Sequence, residues 1–127
     1  MKKVPKALRV WFVVHFVVDF LFGVPLIICP VKFLALFGIE SVEMVTARLV
    51  GAALLGIGGV SLWTHKQGIE SYQSLLKLKI LWSLAAILSL VISAIQGAPI
   101  AIWGVLVTFL LFSGIWIYFK LKLDKIF

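Results

Sequence analysis

The chain has 127 residues, 63% of them hydrophobic and 13% charged, and a net charge of +7. So apolar a composition, far above the roughly 45–50% of a soluble domain, excludes a water-soluble globule. The basic residues flank the apolar stretches and form no continuous face, which argues against nucleic acid and points to membrane lipid as the partner.

The chain opens with Lys2, Lys3 and Lys6 ahead of an apolar run, a pattern that imitates a secretory signal peptide. The run is longer than a signal core of about 7–15 residues, and no small-x-small cleavage site follows, so an uncleaved first span is expected. Val10–Cys29, Met44–Trp63, Leu75–Gln96 and Pro99–Phe119 each reach the ~20 residues that cross a hydrocarbon core about 30 Å thick. Lys77 and Lys79 are expected to snorkel to the surface and let the third span begin near Leu75. None of the four runs alternates as a barrel strand would. The predicted fold is all-α, a four-transmembrane-helix bundle in a single domain spanning residues 1–127.

Span one carries the chemistry. Trp11, His15, Asp19 and Gly23 recur every four residues and share one stripe of the helix. A charged Asp near the midplane costs about 2.5–3.5 kcal/mol on insertion scales, so this face should point inward. His15 is one available partner for Asp19. Arg48 is another, since its long side chain could reach inward from the start of span two; it could equally snorkel outward to lipid phosphate, Glu40 or Glu43. Pro25 removes the hydrogen bond to the Leu21 carbonyl and should kink the helix beyond Asp19. Cys29 is the only cysteine and reads as a small apolar residue at a helix end.

Between spans one and two, Pro30 suits a helix start and Gly38 a helix stop. The segment predicts a short interfacial helix with Phe33, Leu34 and Phe37 dipped into the headgroup boundary. Ser41 is expected to cap span two, with Glu43 in its first turn. Span two is rich in small residues, among them Ala47, Gly51, Ala52, Gly56, Gly58, Gly59 and Ser61. Gly51, Ala52, Gly56 and Gly59 are the candidate packing positions, for a tight bundle or for an oligomer face. The short joint from Gln96 to Pro99 makes spans three and four antiparallel neighbours.

Orientation follows from the basic residues. With four spans, one side carries Lys2, Lys3, Lys6, Arg9, Lys66, Lys77, Lys79, Lys120, Lys122 and Lys125, and the other only Lys32 and Arg48. The positive-inside rule then puts both termini in the cytoplasm, in a cell's inner membrane. Trp11, Trp63, Trp116 and Tyr118 fall near cytoplasmic helix ends and Trp103 near an outer one, as an aromatic belt requires; Trp82 lies deeper and reads as a packing residue.

Three readings compete for His15, Asp19 and Arg48. Asp19 and Arg48 can form a buried ion pair that fixes helix register, with His15 neutral beside it. Asp19 can exchange a proton coupled to substrate passage, with His15 as relay. His15 and Asp19 can act as a base and its orienter, but no serine or cysteine nucleophile motif accompanies them, so an enzyme is disfavoured. One histidine and one carboxylate supply only two ligands, and His65 belongs at the other end, so neither a metal nor a cofactor is expected.

The run from Pro30 to Gly38, then Ala47 to Gly51 and Gly56, resembles a broad group of uncharacterised four-span bacterial and archaeal membrane proteins that are DoxX-like. The resemblance covers the first half of the chain and implies the topology, leaving activity open. The functional expectation is a small transport or ligand-binding membrane protein centred on Asp19. The alternative is an accessory or scaffold subunit, a homo-oligomer or one packed against a larger membrane partner.

Overall fold

In the computed structural model, residues 3–125 are described, and those in regular structure are helical. The elements in order are α1 (Lys6–Ile28), α2 (Pro30–Ala35), α3 (Met44–Thr64), α4 (Ile69–Ile95) and α5 (Ala101–Lys125). The four long helices are long and apolar enough to cross a membrane, and the chain is a small multi-pass integral membrane protein. Pro5–Lys66 form one compact unit, and the second is built chiefly from Gln67 onward.

In the first unit α1 and α3 lie antiparallel, because Gly23 meets Gly51 and Asp19 meets Gly58. The buried positions of α3 are Ala47, Gly51, Leu54, Gly58 and Ser61. Steps of four and three residues in alternation describe a coiled-coil seam. A Cβ on Gly51 would lie 2.8 Å from the Gly23 carbonyl oxygen and 2.9 Å from Ile27 Cγ1, so backbone meets backbone there. The α1–α3 contact uses only part of the expected packing set. Gly51 lies in the contact, but Ala52 is exposed, and a Cβ on Gly56 or Gly59 would meet nothing within 4 Å. Gly58 joins Gly51 in the contact, against Asp19.

Each of these two helices closes the other's C-terminal end. Arg48 Nε donates to the Ile27 carbonyl at 3.0 Å, and Arg9 Nη1 donates to the His65 carbonyl at 2.6 Å. The last carbonyls of a helix lack intrahelical donors and carry the negative end of its dipole, so a cation is favoured at both places.

The short helix forms where expected, with Pro30 in its first turn, and it ends in a Schellman motif. Ile39 N–H bonds the Leu34 carbonyl and Gly38 N–H the Ala35 carbonyl, with Gly38 at φ 78°. Phe33 and Phe37 do not both point to headgroups. Their rings pack on Phe22 of α1 at 5.7 and 6.0 Å, and Val31 and Leu36 are the exposed apolar residues. Glu43, not Ser41, caps α3: its carboxylate accepts from Val45 N–H at 3.2 Å and Thr46 N–H at 2.6 Å. Those bonds, with the one from the Thr46 hydroxyl first among them, hold its carboxyl below the ordinary value of 4.5.

In the second unit α4 and α5 form an antiparallel hairpin. α4 ends in the same motif as α2, with Ala98 N–H on the Ser93 carbonyl, Gly97 N–H on the Ala94 carbonyl, and Gly97 at φ 93°. Helix α4 starts at Ile69, six residues before the expected start of the span. Trp82 packs on Phe109 with ring centres 6.2 Å apart, as a packing residue should.

The glycines give opposite predictions on one helix. Gly58→Ala should lower stability by about 1–3 kcal/mol, since its Cβ would sit 2.7 Å from Asp19 Cβ. Gly56→Ala should be neutral or stabilising by up to ~1 kcal/mol, because alanine favours the helix and nothing is displaced. Thermal unfolding in detergent measures both, and a Gly56 variant that melts lower than the Gly58 variant would reverse the assigned face.

Candidate functional site

His15 and Asp19 stand one turn apart on α1, both 5% exposed, with Nε2 of the imidazole 3.3 Å from Oδ1 of the carboxylate. Val17, midway between them, is also the middle residue of the 23-residue helix. The pair therefore lies deep in the span, where hydrocarbon offers no hydrogen bonds and a protein partner is strongly favoured. The buried face of α1 runs Leu8, Phe12, His15, Asp19, Gly23 and Leu26. Trp11, expected on the same stripe, is only half-buried, and Phe12 takes its turn of the helix.

Across from the pair, α3 supplies Gly58. A Cβ there would meet Asp19 Cβ at 2.7 Å and Oδ2 at 3.2 Å, so the carboxylate occupies the space a side chain would fill. Ser61 lies three residues further along α3, which the antiparallel register puts at the level of His15. Its hydroxyl donates to the Ile57 carbonyl at 2.9 Å, and the side chain is buried. A shallow apolar cavity of about 420 Å³ on another face of α1, lined by Phe16, Phe20 and Pro25 among others, does not include the pair.

The structure separates Arg48 from this site. Its side chain is exposed and bonded to the Ile27 carbonyl. Gly58, which marks the level of Asp19, lies ten residues along α3, or about 15 Å at the helical rise. Of the three candidates, His15 and Asp19 come together and Arg48 closes a helix end. His65 serves the opposite end of α3, where its carbonyl receives Arg9. Among the described residues no three of His, Cys, Asp and Glu come together to hold a metal.

In the other unit a lysine departs from expectation. Lys79 does not snorkel out: it is 1% exposed, and its Nζ lies 4.9 Å from the ring centre of Trp116. Trp116, expected at the interface, is equally buried, whereas Trp63, Trp103 and Tyr118 are exposed as belt residues should be. An ammonium over an indole face is the arrangement a quadrupole favours, and low polarity strengthens it. Sequence reasoning missed Lys79 because a lysine near the expected start of a span is usually given to the surface. The available signal was its spacing, since Tyr72, Leu76, Lys79 and Ser83 share the buried side of α4.

No family model, curated protein or solved structure matches the chain.

A double-mutant cycle tests the separation. Arg48→Met should cost about 1 kcal/mol of thermal stability in detergent through the lost bond to Ile27. Combined with Asp19→Asn, the two effects should add within about 0.5 kcal/mol, as for sites without shared partners. A larger coupling would return Arg48 to the carboxylate.

Proposed function

We propose that this protein is a small transport or ligand-binding membrane protein in which Asp19, relayed by His15, takes up and releases a proton. The observation that carries the reading is the 3.3 Å approach of His15 Nε2 to Asp19 Oδ1 at the middle of a membrane-spanning helix. An ionised aspartate beside a neutral imidazole leaves the pair one charge negative. One added proton makes the pair neutral, whether it resides on the carboxylate or is shared as imidazolium and carboxylate. Burial makes the difference between these two charge states costly, which gives protonation leverage over whatever else the site holds. His15 is suited to the relay because its ring nitrogens can accept a proton on one side and pass one on.

A second reading has support of its own. Gly58 is filled by the Asp19 side chain, which is what a purely structural polar contact would also do. The open surface at Gly56 and Gly59 suits a helix of a second copy or of a larger membrane partner, for which this chain would be an accessory or scaffold subunit. Infrared difference spectra of the protein in lipid, taken across a pH titration, separate the two. For a proton carrier, a carboxylic-acid band should titrate and vanish in Asp19→Asn, while that variant elutes and melts like the parent. If no band belongs to Asp19 and the variant loses its assembly, the scaffold reading replaces the carrier.

The excess of basic residues at one end of the spans supports an orientation with both termini cytoplasmic, in the inner membrane of the cell. In Cys29→Ser, a Ser41→Cys change should then be labelled by an impermeant maleimide applied to intact cells. Labelling only after permeabilisation reverses the orientation.

A further inference from the structure

The second unit holds two polar atoms that hydrocarbon should not tolerate. Trp82 Nε1 and Ser113 Oγ are buried and have no hydrogen-bond partner among the described residues. Trp82 is the middle residue of the 27-residue α4, and Ser113 is the middle residue of the 25-residue α5. At the helical rise Trp82 lies about 7 Å along α4 from the exposed Lys77, and Ser113 about 10 Å along α5 from Lys120, so both fall within the apolar part of their spans. An indole N–H or a hydroxyl left unbonded in such surroundings costs several kcal/mol.

The two atoms belong together. Lys79 of α4 meets Trp116 of α5. Three residues on from Lys79 is Trp82, and three back from Trp116 is Ser113, so the antiparallel hairpin sets them at one level. Trp82 also touches Phe109, one turn from Ser113 on α5. Ser113 is unusual as well as buried. The hydroxyls of Ser61, Thr64, Ser83, Ser89, Ser93 and Thr108 each donate to a carbonyl of their own helix. That local bond is the common resting place of a hydroxyl in a spanning helix, and Ser113 does not make it.

We propose that Trp82 and Ser113 form a binding site between α4 and α5 for the carboxylate of an amphiphilic acid, with Lys79 as the neighbouring cation. Indole nitrogen can only donate, and a serine hydroxyl donates readily, so the complement is an oxygen with lone pairs to spare. A carboxylate offers two such oxygens, and a donor to an ionised acceptor makes the stronger bond. Lys79, three residues from Trp82, selects an anion over a neutral carbonyl. The apolar walls supplied by Phe109 and Trp116 suit a hydrocarbon tail. This assignment is independent of the role given to Asp19.

The test is a titration of the full-length ¹⁵N-labelled protein in detergent, following its tryptophan indole N–H resonances, with Trp82 assigned through Trp82→Phe. Dodecanoate should move the Trp82 resonance downfield and saturate it. Ser113→Ala, which removes one donor at nearly constant volume, should weaken binding about tenfold, as expected for a charge-assisted bond. Methyl dodecanoate should bind more weakly than the acid, and dodecane should give no saturable shift. Three results overturn the proposal: no saturable shift with dodecanoate, an unchanged affinity in Ser113→Ala, or a methyl ester that binds as tightly as the acid. The comparison of acid with ester reads the influence of Lys79 on the parent protein, so it does not require a folded Lys79 variant.

Discussion

Hydrocarbon surroundings supply neither hydrogen bonds nor a hydrophobic force that drives helices together, and the structure of this protein depends on both absences. Helices in such a solvent associate through close packing and through polar groups that have no other partner. The contact of α1 with α3 uses both. Glycine at positions 23, 51 and 58 lets the backbones approach until a methyl group would no longer fit. Beyond this contact the two ends are closed by arginines offered in exchange, Arg9 to the end of α3 and Arg48 to the end of α1. The middle of the contact is short of side-chain volume, and the Asp19 carboxylate fills it.

That arrangement explains which parts of the fold could be read from residues alone. Length and composition suffice for four spanning helices, because crossing about 30 Å demands a long apolar run wherever it occurs. Pro30 and Gly38 bound the short helix through backbone chemistry that is local, and Gly38 is one of two described glycines with positive φ. The rotation of each helix about its own axis was not legible in the same way. A soluble helix announces its buried face by contrast with polar residues, but a helix in lipid is apolar all round. Small residues on α3 occur on several faces, so their presence could not select Gly58 over Gly56. The two positions are distinguished by what α1 places opposite them, an interaction remote in sequence.

The charged residues show the same limit. Arg48 and Lys79 are both long cations near the expected ends of spans; the residues alone left Arg48 open between surface and interior and gave Lys79 to the surface. The structure chooses between the two readings of Arg48 and goes against the expectation for Lys79. Arg48 stays exposed and bonds a helix end, whereas Lys79 is buried over Trp116. For Arg48 the deciding factor is the antiparallel register, which brings it level with the unpaired carbonyls at the end of α1. For Lys79 it is the periodicity of α4, which puts it in line with Tyr72 and Leu76. His15 and Asp19 were legible because a turn of helix relates them, and no knowledge of a partner helix was needed.

The tightness at Gly58 also constrains how a proton on Asp19 could have any wider effect. The Cβ of Asp19 is held by the α3 backbone at a distance that leaves no room for a methyl group, so the two helices cannot draw closer when the carboxyl changes charge. Its freedom lies in the outer atoms, where Oδ1 faces His15. A change of protonation must therefore act first through rotation of the carboxyl and imidazole groups, or by loosening the α1–α3 contact. Packed interfaces tend to switch between discrete arrangements in preference to deforming smoothly. A contact with no slack at its centre and an arginine at each end is suited to such a switch only if the whole contact moves as one. Gly58, though it carries no chemistry, is thus the point at which the His15–Asp19 pair meets the backbone of the neighbouring helix.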